Sequence, residues 1–196
     1  MSTYSELQLD ALGELANIGS GTAATALSSM IGLPVDVSVP NALALPLADA
    51  VEAAGPPEQF VTAVALPVIG DLEGIVLMIF SPENARRLCE VLGVEADTEM
   101  GRSALREIGN IVGASYLGAL GATIGQTIEP GPPEAATDML GALVSTILAA
   151  SADSSDVALL LDSALRVEGG SDATISFILV PSTASVRGLL DLLGLQ

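Results

Sequence analysis

The sequence repeats itself, and this duplication constrains the fold more than any other feature. The four-residue segment that begins at Glu14 recurs at Glu107, 93 positions later, with its Glu and Asn unchanged. Over the 19 positions that end at Gly32, seven residues are identical at that offset. Self-similarity of this kind indicates one structural unit present twice. We therefore predict a single domain built from two repeats, about 1–95 and 96–196, around a common core.

Both repeats carry the same predicted order of elements. A long helix ends at a glycine, strands follow with glycine-containing turns between them, and an amphipathic helix closes the unit. The predicted helices cover 5–31, 82–92, 98–124, 136–150 and 183–193, and the predicted strands cover 35–39, 60–68, 74–80, 157–165 and 173–180. The helix 136–150 has no predicted counterpart in the first repeat. The expected fold is α/β: a two-fold pseudo-symmetric, duplicated unit with a β-sheet flanked by long surface helices.

The composition excludes several kinds of chemistry. The 196 residues include no His, no Lys and a single cysteine, Cys89, which is expected in the core. A Ser-His-Asp triad, a P-loop, a Schiff base and an intramolecular disulfide are therefore excluded. The net charge of -18 argues against nucleic-acid binding. It fits either an ordinary solvated acidic surface or a halophilic or high-GC source, in which Arg has replaced Lys. The apolar runs are too short to span a membrane and no signal peptide is visible, so we expect a cytoplasmic protein without membrane insertion. Because the duplication already supplies the symmetry that a dimer would give, we expect a monomer.

Polar residues recur on one face of each long helix. At 100° per residue, three of them fall together on each helix: Asp10, Glu14 and Asn17 (the first site) and Ser103, Glu107 and Asn110 (the second site). Apolar residues fall on the other side, so both sites are expected to face solvent. From the pattern alone, these residues either perform a function or decorate an ordinary solvated helix face.

Glycines interrupt both long helices. Each interior glycine costs about 1 kcal/mol relative to alanine, so these positions predict close approach of a neighbouring surface. The glycines concerned are Gly19, Gly21, Gly109 and Gly113.

The two sites, each followed by a proline, resemble the signature of a known family. That signature is Asp or Ser, then Glu, then Asn, then Pro after 22 residues, and it belongs to the CheC/CheX/FliY phosphatases of chemotaxis. It occurs twice, as Asp10-x3-Glu14-x2-Asn17-x22-Pro40 and as Ser103-x3-Glu107-x2-Asn110-x22-Pro133. Two complete signatures in a chain of this length are similar to the CheC type.

The resemblance implies an activity and roles for the residues. The protein would dephosphorylate the phospho-aspartate of the response regulator CheY. Asn17 and Asn110 would orient the attacking water, and Glu14 and Glu107 would contact the regulator's lysine. Mg²⁺ would be bound by CheY, so no metal or cofactor of the protein's own is expected.

The remaining signature residues are assigned to substrate binding by the resemblance. Asp10 and Ser103 frame the sites, although ordinary surface polarity explains them equally well. Pro40 and Pro133 lie outside the helices and are better suited to shape the following segment than to touch phosphate. Arg102 and Arg106 border the second site only. We therefore hypothesise that the second site binds CheY more readily than the first.

Two other functions stay open at this stage. The protein could be mainly a non-catalytic binding protein that regulates CheD, the receptor deamidase, with the apolar helix 136–150 either in the core or as the CheD-docking surface. A metal-dependent hydrolase using Asp10 and Glu14 is the weakest possibility, because each helix lacks a third ligand.

Overall fold

The computed structural model describes residues 6–150, 157–169 and 172–185, excluding the side chains of residues 6–16, 40–42, 44, 148, 150 and 157. In these ranges the helices are α1 Glu6–Ile31, α2 Leu47–Ala54, α3 Pro82–Val91, α4 Glu99–Ile124 and α5 Leu140–Ala150. The strands are β1 Val35–Pro46, β2 Phe60–Gly70, β3 Gly74–Phe80, β4 Ile128–Pro130, β5 Glu134–Met139, β6 Val157–Val167 and β7 Ala173–Pro181.

The strands form one antiparallel sheet in which the two repeats exchange their first strands. The order is β1-β6-β7-β3-β2-β4, with β5 also paired to β2. Thus β1 of the first repeat pairs with β6 of the second, while β4 and β5 of the second pair with β2 of the first. The pseudo-two-fold axis lies between β3 and β7, which pair with each other. This arrangement confirms the predicted α/β fold with a duplicated unit.

Helices cover both faces of the sheet because its central strands are apolar on both faces. Side chains alternate along β2, so Val64 and Leu66 join the core beneath the long helices, whereas Val61 and Ala63 join the core beneath α2 and α5. The long helices α1 and α4 therefore lie side by side on one face. None of the helices in the described ranges is long and apolar enough to cross a membrane.

Capping interactions define the ends of the long helices, close to the predicted bounds. The Thr98 hydroxyl accepts a hydrogen bond from the Gly101 amide at the start of α4. Gly125 and Gly32 follow α4 and α1 in the left-handed region, at φ of 68° and 76°. The Ser28 hydroxyl accepts from the Val35 amide at 2.9 Å, which joins the end of α1 to the start of β1.

The prediction for 136–150 is wrong in two respects. Residues 134–139 form β5, because the backbone pairs with β2 and the Thr137 hydroxyl lies 3.0 Å from that of Thr62. The helix therefore begins at Leu140. Nor is this helix an addition to the second repeat, since it has a counterpart in the first: α2 begins at Leu47, 93 positions earlier. With eight residues, α2 is too short for its periodicity to reveal it.

Other differences concern the ends of elements. Strand β1 continues to Pro46, past the predicted end at residue 39, and its register shifts between Ser38 and Asn41. An edge strand tolerates Pro40, which has no amide proton to donate. The predicted helix 82–92 is confirmed as α3. Of the predicted helix 183–193, residues 183–185 are helical and the remainder lies outside the described residues.

Cys89 lies in the core, as predicted. Its side chain is buried, and its Sγ lies 3.7 Å from the carbonyl oxygen of Gly101 at the start of α4. Burial raises the pKa of this thiol, which disfavours the reactive thiolate.

Candidate functional site

Two glycines let α4 lie directly on the sheet. A Cβ atom at Gly109 would lie 2.9 Å from Cγ1 of Val64, and one at Gly113 would lie 3.2 Å from Cε of Met78. Both glycines are buried. This side of α4 faces β2 and β3, whereas Ser103 and Glu107 of the second site are exposed on the side turned away from the sheet.

A third glycine lets α1 pack against α4. A Cβ atom at Gly19 would overlap the Tyr116 ring and would lie 3.0 Å from the Tyr116 Cα atom. The predicted close approach is therefore confirmed at Gly19, Gly109 and Gly113. It is not found at Gly21, which is exposed and has no neighbour within 4 Å of a Cβ position.

Tyr116 fixes α4 to the second repeat's strands. Its hydroxyl lies 2.8 Å from that of Ser163 on β6, and its ring meets Phe177 on β7 edge to face at 5.2 Å. Burial raises the pKa of Tyr116, and the Ser163 hydrogen bond opposes that shift. The helix that carries the second site is thus held by packing and by a buried hydrogen bond.

The second site lies at the surface with an arginine beside it. Ser103 and Glu107 are exposed, and Asn110 is half-buried. The shared face predicted for these residues on α4 is therefore accessible. Nη2 of Arg106 donates to the Ser103 hydroxyl at 3.4 Å, which places the guanidinium next to the site.

The first site is described in part. Asn17 is exposed on α1. Its backbone carbonyl oxygen accepts a 2.8 Å hydrogen bond from the buried Ser20 hydroxyl. Asp10 and Glu14 belong to the helical backbone of α1, and their side chains lie outside the described part of the structure.

Sequence reasoning gave no role to Ile18, which follows Asn17. Its side chain is 53% exposed, an unusual position for an isoleucine on the same helix as a polar site. The available signal was its identity with Ile111 in the second repeat. Ile18 offers an apolar contact to any protein that docks on the first site.

The two signature prolines occupy equivalent positions in the sheet. Pro40 lies where β1 shifts register, and the half-buried Pro133 lies between β4 and β5. In the first repeat the strand continues through Pro40 with a shifted register, whereas in the second repeat it is divided into β4 and β5 around Pro133. These positions favour a role in shaping the strand.

Metal binding finds no support in the described residues, where no group of three or more His, Cys, Asp or Glu side chains lies close enough to hold an ion.

Comparisons with known proteins agree with this architecture. The CheC-like family matches the chain twice, over residues 7–43 and 100–136. The chain is 34% identical to the CheY-P phosphatase CheC of Bacillus subtilis, over 71% of each protein. It is 28% identical to the flagellar motor switch phosphatase FliY of the same organism, over 66% of this chain and 35% of FliY. In fold it is similar to Thermotoga maritima FliY, with a TM-score of 0.75 over 98% of each chain at 18% identity.

Proposed function

The chain belongs to the CheC-like family of chemotaxis phosphatases, and on this premise we propose that it hydrolyses the aspartyl phosphate of the response regulator CheY through its two helix sites. The observation that carries the proposal is the second site. There a carboxylate and an amide, Glu107 and Asn110, lie one turn apart at the surface of a helix that is fixed on the sheet.

Asn110, and Asn17 in the first site, would act by orienting water. A carboxamide both donates and accepts hydrogen bonds, so it can hold a water molecule in line with the phosphorus atom. It carries no charge that would repel the phosphoryl group. Positioning of this kind requires a rigid support, and Gly109, Gly113 and Tyr116 provide it beneath Asn110.

Glu107, and Glu14 in the first site, would set the register of the docked regulator. An exposed carboxylate on a fixed helix can pair with a lysine of the partner. Ser103 lies one turn before Glu107 on the exposed surface, where it can extend the same contact. Mg²⁺ would be bound by the regulator.

The test is the rate of phosphate loss from phosphorylated CheY. The Asn17→Ala/Asn110→Ala double variant should lower the protein-dependent rate by about 10²-fold, the scale expected when a group that positions the reaction is removed. The control is Thr25→Ala/Thr123→Ala, which removes one hydroxyl from each long helix away from the sites. Unchanged hydrolysis in the double asparagine variant would refute the assignment.

Helix α5 favours a second candidate function, the binding of CheD. Its inward residues Leu140, Leu143 and Val144 are buried in the core, which confirms the core interpretation for this face. Its outward residues include Ser145 and Thr146, whose hydroxyls donate to the backbone of the preceding turn. This outward face carries no charge in a protein with 24 acidic residues, a contrast that favours a protein contact.

CheD binding can be tested on that face. Thr146 is exposed, so Thr146→Glu places a charge on it without disturbing the core. We expect the variant to weaken CheD binding about tenfold while CheY-P hydrolysis is unchanged. Equal CheD affinity for the variant and the wild type would remove α5 from the interface.

A further inference from the structure

A cavity of about 620 Å³ opens at the sheet edge, next to the start of the helix that carries the second site. Its walls come from the start of β2, from β5, from α3 and from the segment that leads into α4. We call it the edge cavity. The lining residues on which the argument depends are Phe60, Val94, Ala96, Arg86 and Arg102.

The edge cavity exists because α4 covers only part of the sheet. At Gly109 and Gly113 the helix touches β2 and β3, but Thr62 lies beyond it, toward the start of β2. There Thr62 pairs with Thr137 of β5, and both line the cavity. Phe60, at the first position of β2, is 58% exposed. Together with the half-buried Val94 and Ala96, Phe60 therefore forms an apolar floor that is partly open to solvent at this end of the sheet.

Two arginines that make no ion pair with a described carboxylate line the cavity, although Nη1 of Arg102 donates to the backbone carbonyl of Asp97 at 3.3 Å. The protein has 24 acidic residues and six arginines, so an arginine without an ion pair is unexpected. In the described part of the chain, Arg87 and Arg166 pair with carboxylates. Within the same ranges no carboxylate lies within 4.0 Å of the other three arginines: Arg86 and Arg102, which line the cavity, and Arg106, beside the second site.

The edge cavity lies within reach of a protein docked on the second site. Arg102 precedes Asn110 by eight residues, a distance of about 12 Å along the helix. A typical protein interface covers about 800 Å² on each partner, equivalent to a disc of about 16 Å radius. A partner centred on Asn110 would thus extend over Arg106 to the cavity mouth.

The charge of the lining favours a polypeptide over a small polyanion. Glu90, Glu95 and Asp97 also line the cavity, and all three are exposed. With these carboxylates present, a ligand of several negative charges would be repelled. A segment with one apolar side chain and one carboxylate could fill the floor and pair with Arg86 and Arg102.

We propose that the edge cavity is a second anchoring point for the response regulator bound at the second site, and that it takes a regulator segment combining an apolar side chain with a carboxylate. This inference rests on the proposed function, since that function supplies the partner. It adds a contact with the substrate protein outside the helix that performs the chemistry.

The charge contact is tested with matched variants in an Asn17→Ala background, where only the second site hydrolyses. Arg86→Gln should raise KM for phosphorylated CheY about five- to tenfold and leave kcat unchanged. Arg87→Gln is the control, because it removes the same charge from the next position of α3 but from a residue already paired with Glu83. Equal KM values for the two variants, or a fall in kcat at constant KM for Arg86→Gln, would overturn the proposal.

The apolar contact has its own pair of variants. Phe60→Ala should raise KM severalfold, whereas Ile69→Ala, at the other end of β2 and similarly exposed at 53%, should not. Equal effects of these two substitutions would also overturn the proposal. So would stabilisation of the wild type, but not of Arg86→Gln, by inorganic phosphate alone, since the cavity would then be a small-anion site.

A binding measurement separates this inference from the proposed function. Affinity for CheY carrying beryllofluoride is measured for the wild type, Arg86→Gln and Arg87→Gln. If the wild type binds but does not hydrolyse CheY-P, the proposed catalysis fails, and selective weakening by Arg86→Gln still supports the cavity as an anchor. If hydrolysis is normal and both variants bind alike, only the cavity proposal fails.

Discussion

The two long helices carry the same Glu and Asn, but their surroundings differ. Helix α4 lies on the sheet through Gly109 and Gly113 and is tied to β6 by Tyr116. At the offset of 93, the residue of α1 that corresponds to Tyr116 is Ala23, and Gly113 corresponds to Ser20. Helix α1 thus lacks these tyrosine and glycine contacts and packs against α4 at Gly19. The duplication kept the polar pair while the packing beneath it diverged.

Charge separates the two regions as well. Arg102 and Arg106 flank the second site, whereas the corresponding residues of α1 are Leu9 and Gly13. The net charge of -18 repels a partner that carries carboxylates, whereas two local positive charges attract those carboxylates to one place on the surface. The second site is therefore better supported by packing, and the hypothesis that it also binds CheY more readily can be tested by comparing the two sites.

The largest effect is expected where the helices meet. Gly19→Ala should lower the free energy of unfolding by about 2 kcal/mol, because the new methyl group would overlap the buried Tyr116 ring. Gly21→Ala, two positions away with open space around it, should raise that free energy by up to about 1 kcal/mol through helix propensity. Urea unfolding of both variants measures the difference. A similar change in both would mean that α1 does not depend on close contact at Gly19.

The next prediction compares the sites themselves. Asn110→Ala should reduce CheY-P hydrolysis about fivefold more than Asn17→Ala, because Arg102 and Arg106 draw the regulator to the second site. Salt screens these charges, so the ratio should approach one as ionic strength rises. Rates of phosphate release in low and high salt provide the measurement. Equal losses of activity at low salt would contradict the prediction that the second site contributes more of the hydrolysis than the first.

A smaller effect is expected from the hydrogen bond between Tyr116 and Ser163 beneath α4. Tyr116→Phe leaves the buried Ser163 hydroxyl without its partner and should cost about 1 kcal/mol of stability. The double variant with Ser163→Ala should cost less than the sum of the two single changes, because both remove the same hydrogen bond. Additive losses would show that the bond contributes nothing.

The same residue predicts a pH dependence. Burial raises the pKa of Tyr116 above its ordinary value near 10, so the unfolded state loses its proton first as the pH rises. The stability associated with the protonated phenol is therefore complete below about pH 10 and is lost as the pH rises toward the folded-state pKa. Between pH 9 and 11 the free energy of unfolding should therefore fall more steeply for the wild type than for Tyr116→Phe. Parallel curves for the two proteins would contradict the raised pKa of Tyr116.

Local sequence signals were sufficient for the long helices and most strands. Their periodicity extends over many residues, and Gly32 and Gly125 mark where the helices end. The local signals failed at 134–139. Ala136 and its neighbours are good helix formers, yet this segment pairs with the free edge of β2 and forms β5. Helix α2 was missed because eight residues hold little more than two turns.

The sequence by itself determined the duplication, the class of fold, the family resemblance and the positions of the Glu and Asn pairs, because these depend on spacing along one chain. Tertiary structure decided the exchange of first strands between the repeats, the support that Tyr116 and Ser163 give to α4, and the edge cavity that joins Arg86 to Arg102. Each of these brings together residues far apart in sequence. Local propensity and periodicity carry no information about such contacts, which arise only when the two repeats close a common core.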